Sequence, residues 1–337
     1  MKTALVCGAG GFIGNHLMRR LHEEEYKVIG VDIKYPEFCD AVAYADDFLL
    51  KDLRKISSWA YLFDTFHIDE IYQLAADMGG AGYIFTGDHD AQVMMNSGLI
   101  NLNLCRVLAS CTALIDGLTV FYSSSACIYP AGNQVAEDRP ITAEHTAYPA
   151  NPDSEYGWEK LFSERLYFAM ARNLGLNVRV ARFHNVFGPY GSYNNGKEKA
   201  PAALCCKIAE LPPEGGTIEI WGDGNQTRSF LYIDEALEAV RRFMRSDFAG
   251  PLNIGSEEMV SINELVGMIA MISRKNVVVE HVPGPIGVRG RNSDNRLIRE
   301  KLGWEPTRPL LAGLRETYSW IEEQVNGAKI KKDRTGS

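Results

Sequence analysis

The chain opens on TALVCGAGGFIGNHLMRRLHEEEYKVIGVD, residues 3–32, and the spacing of its glycines constrains the fold more than any other feature. Gly8, Gly11 and Gly14 form G-x-x-G-x-x-G. Thr3–Cys7 before them is a short apolar run suited to a buried parallel strand. Phe12–Glu24 carries Phe12, Ile13, Leu17, Met18 and Leu21 at helical spacing. Lys27–Val31 reads as a second strand, and Asp32 ends it. Glycines between a strand and a helix let the backbone turn tightly and approach a pyrophosphate, which the free N–H groups of the helix start attract. A carboxylate at the end of the next strand suits the two hydroxyls of an adenosine ribose and repels a 2′-phosphate. The unit therefore predicts NAD rather than NADP. Asp52, in LLKDLR, stands where it either meets the adenine amino group or caps a helix.

The same alternation continues. Apolar strand-like runs fall near Asp47–Leu50, Glu70–Leu74, Leu118–Tyr122 and Asn177–Arg182, with helix-like segments between them. Repeated βα units predict an α/β fold, a doubly wound parallel (Rossmann) sheet with a smaller C-terminal α/β substrate domain. After Phe183 the texture changes to the loop HNVFGPYGSYNNGKEKAP. Ala200–Glu210 reads as a helix, IEIWGDGNQTRSFLYIDE as two strands about a Gly-Asp-Gly turn, and Leu311–Val325 as a helix. The expected division is 1–183 for the dinucleotide, with segments near 228–260 returning to it, 184–326 mainly for substrate, and a mobile polar tail at 327–337. With 337 residues, 46% hydrophobic, the chain buries a sizeable core. A net charge of −8 without a basic block argues against nucleic acid. No run of roughly 18 apolar residues is present, which argues against a membrane span. The apolar start is too short for a signal peptide, and seven scattered cysteines without C-x-x-C spacing predict reduced thiols, no metal site and a soluble cytoplasmic protein.

Two further stretches carry chemistry. Tyr156 and Lys160, in SEYGWEKLFSERLYF, lie on one face of a helix. An ammonium beside a phenol lowers its pKa, and such a tyrosine takes a proton from a sugar hydroxyl while the nicotinamide is reduced. Alone, the pair is an ordinary surface contact. Behind a dinucleotide fingerprint and a serine-rich strand end it reads as catalytic. SSSACIYP, residues 123–130, sets Cys127 between Ser125 and Tyr129. A cysteine there is either a small packing residue or an acid or base, since a thiol beside a cation exchanges protons near neutrality. Lys199, in GKEKAPAA, is a candidate cation. Arg228, Arg289 and Arg291 suit a diphosphate, because a guanidinium fork matches phosphate oxygens. His184 reads equally as a site donor or a core histidine.

The glycine spacing, LAA at 74–76, SSSA at 123–126 and YGWEK at 156–160 resemble the extended short-chain dehydrogenase/reductase family that acts on nucleotide sugars. The resemblance extends through AADMGGAGY, RFHNVFGP, EKAPAA, WGDGNQTRSF and GVRGRNSDN, and so covers most of the chain. It implies NAD against Gly8, Gly11, Phe12, Ile13, Gly14, Asp32, Asp52, Leu74, Ala75, Ala76, Tyr156 and Lys160. Ser125 would bind the reacting hydroxyl, Tyr156 would be the base, and Lys160 would hold the nicotinamide ribose. Family epimerases commonly carry threonine where Cys127 stands. The resemblance implies that Cys127 and Lys199 face opposite sides of a sugar ring. It adds substrate contacts from Gly79, Ser125, Ala126, Asn185, Glu198, Ala200, Lys207, Gln226, Thr227, Arg228 and Arg291. The implied activity is inversion of GDP-mannose at C3 and C5 to GDP-L-galactose, with GDP-L-gulose as the C5-only product. The alternatives are another epimerase of GDP-hexoses or other nucleotide sugars, C4-only included, and a non-catalytic NAD-binding sensor. A 4,6-dehydratase would want Asp-Glu where Ala126–Cys127 stands. A homodimer through the helices near 90–110 and 156–173 is also implied.

Overall fold

Strands β1 (Thr3–Cys7), β2 (Lys27–Asp32), β3 (Asp47–Leu50), β4 (Glu70–Gln73), β5 (Thr119–Ser125) and β6 (Asn177–Phe183) alternate with helices α1 (Phe12–Glu23), α2 (Ile56–Thr65), the short α3 (Ala81–Ile84), α4 (Asp90–Ser110) and α5 (Glu155–Leu174). Then follow β7 (Val186–Phe187), α6 (Ala200–Glu210), β8 (Gly215–Trp221), β9 (Thr227–Ser229), β10 (Leu231–Tyr232), α7 (Ile233–Arg245) and β11 (Leu252–Ile254). The chain continues with β12 (Met259–Ser261), α8 (Ile262–Ser273), β13 (Asn276–Val282), β14 (Gly290–Arg291), α9 (Arg296–Leu302) and α10 (Leu310–Thr335). The computed structural model describes the backbone of residues 1–335 and the side chains of residues 1–328.

The main sheet has the order β11-β6-β5-β4-β1-β2-β3, parallel throughout. Helices cover both faces, so its strands bury both rows of side chains and read as near-continuous apolar runs. Leu5, Ile29, Ile71, Val120 and Val178 join one core with residues of α2, α4 and α5. Their neighbours Ala4, Val6, Val28, Tyr72 and Phe121 join the other, with residues of α1 and α7. The strand order reverses between β1 and β4. A crevice at the carboxyl ends is where a dinucleotide sits in such sheets.

β11 lies beside β6, and α7, which precedes it, is pinned to the first layer by a buried arginine. Arg241 pairs with Glu24 at 2.9 Å and Glu70 at 3.0 Å. The strands on either side of the Gly-Asp-Gly turn form but do not pair with each other. β8 pairs in parallel with β13, while β9 lies between β12 and β14, so both its edges are taken. The last helix is longer than its apolar pattern. The expected tail from 327 continues α10 to Thr335, through residues of good helix propensity, and 336–337 lie outside the described residues.

Candidate active site

The first turn after β1 is a cradle built by glycines. Gly8 has φ +81°, and its N–H donates to Val31 O at 2.9 Å. A Cβ at Gly14 would lie 2.2 Å from Gly8 O, so α1 sits flush on the loop, and one at Gly10 would lie 2.3 Å from Lys34 O. Helix α1 starts at Phe12 and Ile13 after Gly11, and no side chain caps it. Its first N–H groups are therefore free for an anion. Asp32 accepts from Gly10 N at 2.9 Å, Ile33 N at 2.6 Å and Lys34 N at 3.2 Å. Burial nevertheless pushes its carboxyl above the usual value, against those bonds. Leu74, Ala75 and Ala76 run past β4 beside this loop; a Cβ at Gly8 would lie 2.9 Å from Ala75 N. The turn fits a dinucleotide, because the glycines let it pack closely, the first N–H groups of α1 are uncapped for a pyrophosphate, and Asp32 stands at the end of β2 for a ribose. Asp52 does not cap the helix. The N-cap of α2 is Lys55, and the Asp52 carboxylate forms a fork with Arg54 at 2.9 and 3.0 Å, which holds it below its usual pKa.

Ser125 ends β5, and a short turn, Ala126–Ile128, carries Cys127. Ser154 caps α5 by accepting from Gly157 N at 3.2 Å, which sets Tyr156 in the first turn. A Cβ at Gly157 would lie 2.2 Å from Cys127 O, so α5 is pressed directly onto the thiol-bearing turn. The Ser125 hydroxyl accepts from Cys127 N at 3.2 Å and lies close enough to the side chains of both Tyr156 and Cys127 to act on their protons. Lys160 is buried under this group and donates to Ser123 O at 2.8 Å, with its ammonium 5.6 Å from the Tyr156 ring centroid. The expected lowering of the Tyr156 pKa is not found: burial pushes the phenol well up, and Cys127 and Glu159 add to it. Burial likewise pushes Lys160 down, against Glu159 and Glu164.

Cys127 is tied to Arg291. The guanidinium donates to the thiol sulfur at 3.2 Å, to Gln134 Oε1 at 2.7 Å and to the Asp153 carboxylate. Burial pushes the thiol pKa up and Asp153 adds to it, while Arg291 opposes both. Lys199 heads α6 as its N-cap, and burial lowers its pKa. The charges that act on it are those of Cys127 and Arg291, so Lys199 lies near the thiol. Asp153 and Gln134 are the residues that sequence reasoning missed. Arg291, expected on a diphosphate, is engaged by them and by the thiol.

Asn185 follows β6 at φ 43°, which asparagine tolerates, and donates to Ser229 O at 3.1 Å. Glu198 accepts from Asn195 N at 3.0 Å. A Cβ at Gly79 would lie 2.7 Å from Tyr83 Cβ, so the segment can only pass there as glycine. Ala126 is buried, and Ala200 opens α6. Lys207, about two turns along α6, donates to Glu219 O at 2.7 Å. Gln226 donates to Trp221 O at 3.1 Å, and its Oε1 is buried without a partner among the described residues. Thr227 Oγ1 donates to Glu137 O. Among the described residues Arg228 has only the carbonyls of Thr227 and Ile286 as hydrogen-bond partners, at 2.8 and 2.9 Å. Burial, with Arg291 nearby, pushes its pKa down to about 9. A guanidinium keeps its proton regardless, so this charge wants an anion. Arg289 does not: it pairs with Asp223 at 3.0 Å and with Glu137. His184 is a core histidine, bonded to Asn253 Oδ1 at 3.0 Å and pushed down to about 3 by burial. Among the described residues no group of three or more His, Cys, Asp or Glu could hold a metal, and no helix is long and apolar enough to cross a membrane.

These features have counterparts. A model of the NAD dependent epimerase/dehydratase family matches residues 4–255. The chain is 45% identical to the GDP-mannose 3,5-epimerase of Arabidopsis thaliana over 97% of its own length and 84% of that protein. It is 45% identical to GDP-mannose 3,5-epimerase 1 of Oryza sativa subsp. indica over 97% and 83%. Among solved structures, UDP-glucose 4-epimerase of Thermotoga maritima with UDP-glucose matches at TM-score 0.81 and 25% identity, over 96% of this chain and 99% of that one. UDP-glucuronic acid 4-epimerase from Bacillus cereus, in complex with UDP-glucuronic acid and NAD, matches at 0.80 and 25%, over 96% and 100%. With a nucleotide cradle, a Ser-Tyr-Lys cluster and a family match over most of its length, this chain belongs to the NAD dependent epimerase/dehydratase family.

Proposed function

We propose that this enzyme inverts C3 and C5 of GDP-mannose to give GDP-L-galactose, with GDP-L-gulose formed when C5 alone inverts. The observation that carries the reading is a buried thiol, Cys127, beside Ser125 and Tyr156, near enough to Lys199 for the two to act on each other's charge. The 45% identity to plant GDP-mannose 3,5-epimerases supports it. The Gly8–Gly14 loop, Asp32, Leu74–Ala76, Tyr156 and Lys160 would hold NAD, whose chemistry there is the reversible oxidation of the C4 alcohol. Burial keeps Tyr156 a phenol at rest, so it would take the C4 hydroxyl proton as the phenolate that a nearby cation, Lys160 or the nicotinamide, favours, with Ser125 orienting the oxygen. A ketone at C4 makes the hydrogens at C3 and C5 acidic. Inversion then needs one group to remove a proton and another to return one on the opposite face. Burial favours the neutral form of both candidates, a thiol at Cys127 and an amine at Lys199. The thiol is thus a donor at rest, and Lys199 is a readier proton acceptor than an exposed lysine would be once deprotonated. Ser125 and Tyr156 donate to the enolate oxygen between the two steps. Arg228, without a carboxylate, receives the diphosphate, and the unpartnered Gln226 Oε1 accepts from the base.

Leu99 and Met95 on α4 and Trp158 and Phe162 on α5 leave an apolar face exposed on two adjacent helices. A second copy of the chain covers it, making a homodimer. Free thiols at all seven cysteines support a reducing compartment, the cytoplasm. The test of the activity is proton NMR of GDP-mannose with the NAD-loaded enzyme in heavy water. Deuterium should enter C3 and C5 as GDP-L-galactose signals grow, and Cys127→Ala should end inversion. GDP-mannose recovered intact from the wild type would refute the substrate.

A further inference from the structure

Lys197 is no part of the site described above. It stands two residues before Lys199, in an exposed run, Asn194–Lys197, with Gly196 at φ +82°. Its Nζ lies 3.3 Å from Asp77 Oδ1 and 3.9 Å from the centroid of the Tyr83 ring. Asp77 is itself held. Tyr83 donates its hydroxyl to Oδ1 at 2.9 Å, Asn96 donates to Oδ2 at 2.8 Å, and Ser97 Oγ accepts from the Asp77 N–H at 3.0 Å. Burial pushes the Asp77 carboxyl up, but the bonds from Asn96 and Tyr83 and the Lys197 charge outweigh it and keep it ionised. The Tyr83 ring stacks on His89, with centroids 4.2 Å apart. The backbone repeats the attachment: Gly80 N–H donates to Lys197 O at 3.0 Å, and a Cβ at Gly80 would lie 2.0 Å from Glu198 O. An otherwise exposed segment is thereby clipped to residues 77–83 by an ion pair, a cation on an aromatic face and a main-chain bond.

We infer that Lys197 is a positioning residue: through Asp77 and Tyr83 it latches the segment that presents Lys199 to the sugar opposite Cys127. This rests on the reading of Lys199 as a proton-exchanging group. Lys199 is the N-cap of α6: its carbonyl accepts from Ala203 N at 3.0 Å and its extended backbone leads back to residues 197–198, so that segment and the helix start together set its position. An exposed ion pair contributes little to global stability. The latch therefore acts on geometry, where a misplacement of about 1 Å costs on the order of a hundredfold in rate.

The test uses the NAD-loaded full chain with GDP-mannose in heavy water. Lys197→Met keeps the stem and removes the charge. Its inversion rate should fall by about tenfold to a hundredfold, with KM little changed. The near-ultraviolet absorbance of reduced nicotinamide, which reports C4 oxidation, should persist at the wild-type level, because Ser125, Tyr156 and Lys160 are untouched. Lys197→Arg should restore the rate, and Asp77→Asn should reproduce the loss without adding to that of Lys197→Met. Inversion by Lys197→Met at the wild-type rate would overturn the latch. So would equal loss of oxidation and inversion, which would mean a general collapse of the site. A wild type that exchanges no deuterium would instead overturn the proposed function, and is seen before any variant is made.

Discussion

Gly157→Ala gives the sharpest test of how the catalytic groups are held. The new Cβ would lie 2.2 Å from Cys127 O and 2.9 Å from both Cys127 C and Pro152 Cβ. Two of these atoms are backbone and cannot swing aside. Opening the first contact to about 3.3 Å, where a C–H···O approach becomes tolerable, needs α5 and the Ala126–Ile128 turn to part by roughly 1 Å. Alanine in a helix gains about 0.5–1 kcal/mol over glycine. Overpacking costs about 1–3 kcal/mol. The net loss of stability is thus about 0–2.5 kcal/mol, a fall of a few degrees in Tm for a chain of this size. Catalysis is hit harder. Tyr156 moves with α5 while Ser125 and Cys127 stay with the turn, and a 1 Å misplacement costs on the order of a hundredfold, about 2.7 kcal/mol in the barrier. Initial rates of GDP-mannose inversion, set beside a melting curve, measure both. A variant with kcat within about threefold of wild type would show that α5 and the turn are not in rigid register, and the reasoning would fail.

Arg228→Gln should raise KM for GDP-mannose about tenfold or more, with kcat little changed, since a charged hydrogen bond to phosphate is worth about 1.5–3 kcal/mol; an unchanged KM would remove the diphosphate from Arg228. His184, neutral in the fold down to about pH 3, takes a proton in the unfolded chain near its usual 6.5. Stability is therefore full above pH 6.5 and lost as pH falls from there toward 3, by about 2 kcal/mol at pH 5. Urea unfolding at pH 7 and pH 5 should show this drop, and His184→Gln should shrink it. Wild type should sediment as a dimer and Phe162→Glu with Leu99→Glu as a monomer; a monomeric wild type would refute the covered face.

What was legible in the sequence was local. Gly8, Gly11, Gly14 and Asp32 fall within one βαβ unit, so their spacing carries their geometry. The strands of a doubly covered sheet declare themselves because both faces are apolar. Ser125 and the Tyr156–Lys160 pair could be found because a strand end and an i, i+4 pair have fixed local shapes. Asp153 and Gln134 could not, since what makes them matter is Arg291, which reaches them only through the fold. Lys197 meets Asp77 for the same reason. The chemistry of Tyr156 was misjudged by proximity: the spacing put Lys160 on its face, but burial dominates both groups, and Lys160 is tethered to Ser123 O. The arginines divide by partners that no spacing reveals, carboxylates for Arg289 and Arg291 and carbonyls alone for Arg228.

The place of β11 at the edge of the main sheet bears on how the chain is made. Synthesis runs from the N-terminus, so β6 leaves the ribosome well before its outer neighbour, with all of residues 184–251 still to come. Until then β6 is a bare edge, apolar on both faces, with a row of unpaired N–H and C=O groups. Such an edge is a template for pairing with another chain. The nascent protein thus passes through an interval in which its first half is nearly folded and prone to aggregate. Truncation anywhere between 184 and 251 freezes it there, so the N-terminal half should be recovered from cells in the insoluble fraction, however complete its nucleotide cradle.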